Sequence, residues 1–351
     1  MIHSTGEPYP AAYAGAMNRS TIASWLRKKR VYVTLELIGL AILLAALGWA
    51  LRDVWDDAAP RLRNADLTDL AIATAIVAFY YLLFVVGWQR ILAAYGIRIP
   101  YRVALQAEML SMLAKYVPGG VWTPAARVVA LRRFGVKETP VVLASILLEA
   151  GLSALAGVGV FVVGLTLVEG ADAPLLPLGA FAVLVAFLLY PPVFRGVARR
   201  LLRPFGAEEV TPLPARTVAW LLGFYALTWP LGGAALFFML RAVGGDPSLS
   251  SIPYLGGTSA VGAIVAVLAV FAPSGLGVRE ASMYGLLLAV VSEAVALGAT
   301  VINRLVITIV EAALLLVGML LLRRSGEAVE AGGEIEPTAV PAVPGNRVLR
   351  R

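Results

Sequence analysis

Apolar runs close to the length of a bilayer recur along this chain from about Val33 to Leu322, and that recurrence leaves few folds open. In hydrocarbon every backbone N–H and C=O must be satisfied internally, so spanning segments close their own hydrogen bonds as helices. At about 1.5 Å rise per residue, some 20 residues cross a core of about 30 Å. The chain is 60% hydrophobic and 15% charged, with a mean hydropathy of +0.83, whereas soluble domains are about 45–50% apolar. An all-α polytopic membrane protein is expected, with about six to eight transmembrane helices.

Two stretches interrupt these runs. The first is Lys115-Tyr116-Val117-Pro118-Gly119-Gly120-Val121-Trp122, and the second is Phe271-Ala272-Pro273-Ser274-Gly275-Leu276-Gly277-Val278. Proline removes a backbone donor and glycine permits positive φ, so each stretch ends a helix. Non-helical backbone at membrane depth is tolerated only where protein buries it or where it lines a watery cavity. One break in each half of a chain is the pattern of a transporter-like site.

In chain order, residues 1–30 read as a disordered cytoplasmic tail ending in Arg27-Lys28-Lys29-Arg30, followed by a first span from about Val33 to Leu51. The basic cluster places the N-terminus inside; a cleaved signal peptide is the competing reading. The first membrane half, 31–194, continues with a span from about Leu67 to Trp88. Tyr101 to Val117 and Trp122 to Phe134 then read as the arms of a re-entrant hairpin with Pro118 at its tip, or as an interfacial amphipathic helix. Spans from about Pro140 to Val168 and Pro174 to Tyr190 complete this half. Residues 195–216, with Arg195, Arg199, Arg200, Arg203 and Arg216, read as a basic cytoplasmic linker. The second half, 217–324, holds spans from about Val218 to Leu240 and Ile302 to Leu322. Between them, Ser250 to Phe271 and Ala281 to Ala299 flank the second break as a hairpin or as two full spans. Residues 325–351 read as a second disordered cytoplasmic tail. If the span from Pro174 is grouped with those starting near Val218 and Ile302 and the hairpin at Pro273, the order span, span, hairpin, span occurs twice and predicts an inverted repeat.

Charges within spans are costly and usually face the bundle interior. Ser145, Glu149 and Ser153 form one polar stripe, and Thr300, Arg304, Thr308 and Glu311 form another. They line a substrate cavity or join helices. Glu149 and Arg304 lie equally far beyond Pro118 and Pro273, so they are candidates to pair across the pseudo-two-fold axis or to share a headgroup. Glu108, Arg279 and Glu280 are further candidates beside the breaks. Arg127, Arg132 and Arg133 either bind lipid phosphate or, more plainly, satisfy the positive-inside rule. Trp55, Trp88 and Trp122 read as interfacial anchors.

Other chemistries find little support. The chain has no cysteine and a single histidine, His3, which leaves no disulfide framework, no thiolate nucleophile and no histidine zinc site. No phosphate-binding glycine loop is present. The net charge of +7 sits at helix ends, where it sets topology rather than binding nucleic acid. No cofactor, metal or enzymatic activity is expected.

The motifs "MLAKYVPGGVWTPAARVVALRRFGV", "SILLEAG" and "APSGLGVREA", with an arginine on the final helix, resemble the lysylphosphatidylglycerol synthase transmembrane region, a flippase-like integral membrane family. The resemblance covers about residues 33 to 324. It implies an inner or plasma membrane protein, with both termini cytoplasmic, that moves or binds a lipid of phospholipid or polyprenyl-phosphate type. A non-transporting partner of a separately encoded lipid-modifying enzyme and a membrane-embedded transferase are the alternatives. Two-part members of the family add a soluble aminoacyltransferase domain, which this sequence does not contain. The motif positions correspond here to Tyr116, Pro118, Gly119, Arg127, Glu149, Pro273, Gly275, Gly277, Arg279, Glu280 and Arg304.

Overall fold

The computed structural model describes residues 55–112, 114, 122–168, 175–203, 212–269 and 272–330. Tyr116, Pro118 and Gly119, the first expected span and both chain ends lie outside the described residues. Every regular element among the described residues is helical. Among the described residues, five helices are long and apolar enough to cross a membrane, and a sixth crossing is counted if a pair bent by 78° is one span. The protein is an all-α polytopic membrane protein.

Residues 55–63 are helical and lead to α1, Leu67–Ala94, whose first turn is capped by Asp66 accepting from the Asp69 N–H at 2.9 Å. A short hairpin follows, α2 (Tyr101–Met112) and α3 (Trp122–Arg133), whose arms pack on each other. The described helix of each arm has 12 residues, about 18 Å, less than the hydrocarbon thickness. The long helix α4, Thr139–Leu165, starts at Pro140, where a missing N–H costs nothing. Next come α5 (Leu175–Leu189) and α6 (Pro191–Leu202), which turn sharply at Tyr190.

A second series repeats the order. Helix α7, Ala215–Ala242, has 28 residues, the same as α1. A hairpin of α8 (Ile252–Leu268) and α9 (Val278–Leu287) comes next, and α10, Glu293–Glu330, ends it. The start of α1 meets the end of α7, since the Asp66 N–H donates to the Ala242 carbonyl at 2.9 Å, so these matched helices run antiparallel. Helix α4 packs on α8 of the second hairpin, while α10 packs on α2 of the first. Each series thus packs on the hairpin of the other as well as on its own.

Small residues let these elements approach closely. A Cβ on Gly257 of α8 would lie 2.4 Å from the Phe161 Cα of α4, and one on Gly233 of α7 would lie 2.1 Å from the Ile252 carbonyl oxygen. Helices in lipid gain most of their association from such packing. The core around the hairpin arms includes Phe161, Tyr254, Leu255, Met283 and Leu287.

Three expectations need correction. Ala281 to Ala299 is not one span: α9 ends at Leu287, and turns precede Glu293. The Tyr254 hydroxyl at the start of α8 donates to the Leu286 carbonyl near the end of α9 at 2.8 Å, so the chain doubles back to the level it left. At 10 residues, about 15 Å, α9 cannot cross. The basic linker begins as helix: Phe194, Ala198 and Leu202 of α6 are buried while Arg195, Arg199 and Arg200 are exposed, the pattern of an amphipathic interfacial helix. Finally, α10 continues through Glu330, past the expected end of the last span and into the segment read as a disordered tail.

Candidate functional site

The first hairpin is held by a cluster of ion pairs. Arg127 of α3 extends one guanidinium nitrogen to Glu108 of α2 and another to Glu149 of α4, the latter at 2.6 Å. Its guanidinium lies over the Trp88 ring of α1, 4.6 Å from the centroid, and Trp88 donates its indole N–H to the Ser145 hydroxyl at 3.0 Å. Arg127 is only 6% exposed and Trp88 is fully buried. Arginine suits such a place because its planar fork serves two carboxylates while its face stacks on an aromatic ring. The plain reading of Arg127 as a topology-setting surface charge is corrected by this burial, and so is the reading of Trp88 as an interfacial anchor. Glu149 joins helices: its carboxylate pairs with Arg127 and does not line the central cavity described below.

The second hairpin has a related clamp of opposite polarity. At its break, Ser274 has φ +54°, Gly275 +66° and Gly277 +82°. Left-handed backbone is tolerated readily by glycine alone, and a Cβ on Gly275 would also fall 2.1 Å from the Ala266 Cβ of the facing arm. Pro273 opens the single 3-10 turn Pro273–Gly275. The Glu280 carboxylate accepts the Gly277 N–H at 2.7 Å, closing the first turn of α9. Arg304 of α10 reaches the other Glu280 oxygen and the Ser274 carbonyl, both at 3.4 Å. Glu149 and Arg304 are therefore not partners: each pairs with the returning arm of its own hairpin. Glu311 is also engaged between helices, accepting the Tyr81 hydroxyl at 2.5 Å. Of the second stripe, Thr308 faces outward.

Where the two series meet lies a cavity of about 230 Å³. Helices from both contribute to it. Tyr80, Tyr81 and Phe84 come from α1, Trp229 from α7, Ser259 from α8 and Asn303 from α10; among the described residues its charged ones are Glu108 of α2 and Arg279 of α9. Arg279 differs from Arg127 and Arg304. Its Nε is buried without a hydrogen-bond partner, and no ion pair to its guanidinium is found among the described residues. Its stem passes Gly262, where a Cβ would lie 3.4 Å from the Arg279 Cγ. A guanidinium in a mainly apolar cavity, with no ion pair among the described residues, is suited to receive a phosphate oxygen.

Of the residues singled out from the sequence, the structure thus gathers Glu108 and Arg279 at the cavity, with Arg127 and Glu149 bracing the first and Gly275, Gly277, Glu280 and Arg304 shaping the second hairpin. Sequence reasoning passed over the aromatic wall. The cluster Phe79-Tyr80-Tyr81 was the available signal, since two polar-tipped rings in mid-span seek partners when buried.

Residues 37–314 match the family model described as lysylphosphatidylglycerol synthase TM region. No curated protein matches the chain at a significant level.

Proposed function

We propose that this chain, which belongs to the lysylphosphatidylglycerol synthase transmembrane-region family, binds a phosphate-bearing lipid headgroup in the central cavity and carries it across the bilayer as a flippase. Membership of that family supports a membrane protein that handles lipid. The observation that carries the finer reading is Arg279: a guanidinium with an unpartnered buried Nε, in a cavity built jointly by two hairpin-bearing series. Binding near the interface of inverted repeats, at broken helices, is the arrangement that alternating access uses. The headgroup occupies the cavity while the acyl chains remain in hydrocarbon. Arg127 and Arg304 fix the hairpins, and Arg279 holds the ligand. The protein acts by binding and movement, not by bond-breaking chemistry, in the inner or plasma membrane with both termini in the cytoplasm.

Reconstitution into liposomes carrying labelled phospholipids or polyprenyl phosphates tests this. Faster transbilayer movement of at least one lipid than in protein-free vesicles is expected. No acceleration for any of them would remove the proposal.

A further inference from the structure

The charge and wall of the same cavity narrow the ligand, on the premise that it is a headgroup site. Among the described residues the lining holds one guanidinium, Arg279, and one carboxylate, Glu108, with aromatic surface from Tyr80, Tyr81, Phe84 and Trp229. Glu108 is also held by Arg127. We propose that the cavity selects a zwitterionic phosphodiester headgroup with a small amino alcohol, of ethanolamine or choline size, the phosphate on Arg279 and the ammonium against Glu108 and the aromatic rings.

Three features argue for this. A phosphodiester carries one negative charge, which one guanidinium balances; a phosphate monoester or diphosphate carries more, and Glu108 in the same lining repels the excess. Ammonium groups bind well over the faces of tyrosine and tryptophan. Tyr80 lines the cavity within an aromatic cluster, its ring centroid 5.6 Å from that of Phe84 and 6.1 Å from that of Trp229. Volume sets the third limit. At about 230 Å³ the cavity has room for several waters or for a phosphate with a short amino alcohol.

The full-length protein in mixed vesicles of phosphatidylethanolamine, phosphatidylglycerol, polyprenyl phosphate and an aminoacylated phosphatidylglycerol provides the test. Retained lipids are counted by native mass spectrometry after mild extraction. Phosphatidylethanolamine should be enriched about tenfold over phosphatidylglycerol, the scale of one desolvated cation–π contact. Tyr80→Leu should reduce that ratio several-fold and Tyr80→Phe should keep it, whereas Arg279→Ala should lower retention of every phospholipid. Equal or greater retention of phosphatidylglycerol, the polyprenyl phosphate or the aminoacylated lipid would overturn the zwitterion and leave the lipid site standing. Retention of no lipid would overturn the headgroup site itself. Soluble glycerophosphoethanolamine in large excess should lower lipid retention, as a shared headgroup site requires; tighter binding of the soluble compound than of the lipid itself would overturn a lipid as the ligand.

Discussion

Glu149 and Arg304 stand equally far beyond Pro118 and Pro273, yet they carry opposite charges and do not touch: Glu149 pairs with Arg127 at 2.6 Å and Arg304 with Glu280 at 3.4 Å. Each joins the helix after a hairpin to that hairpin's returning arm. The two clamps differ in tightness. The Arg127 and Glu149 side chains are 7% and 5% exposed, against 21% and 18% for Arg304 and Glu280. The first hairpin is thus braced firmly and the second loosely, which makes the second the better candidate for movement during a transport cycle.

Removal of Arg127 should be the most damaging single change in the charged network. Arg127→Ala leaves Glu108 and Glu149 buried without the guanidinium between them, a loss of about 3–5 kcal/mol. Arg127→Lys should restore part of it, since an ammonium supplies charge but neither the fork nor the stacking on Trp88. Thermal unfolding in detergent measures this; an unchanged midpoint for Arg127→Ala would show that the cluster contributes nothing.

Arg304→Ala should act on transport more than on stability. Its contacts at 3.4 Å are long and partly exposed, worth about 1 kcal/mol, but they fix the Ser274 carbonyl at the break. A slower lipid flux with nearly normal unfolding is expected, with Arg304→Lys between. Equal flux in all three forms would make the clamp dispensable.

Gly275→Val should abolish function. Valine disfavours φ +66°, and its Cβ would overlap Ala266. Gly285→Ala, in the same hairpin but with open space at the Cβ position, is the matched control and should behave as wild type. Normal flux in Gly275→Val would show that the break needs no close approach.

Much of this arrangement was legible in the sequence, and the parts that were not have a common cause. Long apolar runs and Pro-Gly breaks report on one helix at a time, so α1, α4, α7 and the second break stand where composition and backbone chemistry put them. Partnership between charges is a property of the folded hairpins. Arg127 satisfies the positive-inside rule as well as it fills a buried site, and only the return of α3 against α4 separates the two. Trp88 likewise sits near a span end, where an interfacial anchor and a buried platform for a guanidinium look alike. The tyrosines of the cavity wall were signalled by their clustering in mid-span, but not the direction they face, since an aromatic in an apolar helix can turn to lipid or to protein. Ala281 to Ala299 read as a possible span because hydropathy is blind to the turns that separate α9 from α10.

Because the native chain has no cysteine, the second hairpin can be mapped with single cysteines and membrane-impermeant thiol reagents. Ser274→Cys, at the partly buried break, should label far more weakly from the cytoplasmic side than a cysteine at an exposed loop labels from its own side; Ser250→Cys, exposed at the start of the hairpin, supplies the comparison. Strong cytoplasmic labelling of Ser274→Cys would place the break in a cytoplasmic loop and contradict the re-entrant hairpin.

The central claim is that Arg279 holds the phosphate of a transported lipid, and lipid flux in proteoliposomes tests it most directly. Wild-type, Arg279→Lys and Arg279→Ala proteins are reconstituted at equal density, with insertion and thermal unfolding checked for each. The account predicts fast transbilayer movement for wild type, intermediate for Arg279→Lys and near the protein-free rate for Arg279→Ala, with folding intact. Flux in a folded Arg279→Ala protein equal to wild type would contradict it.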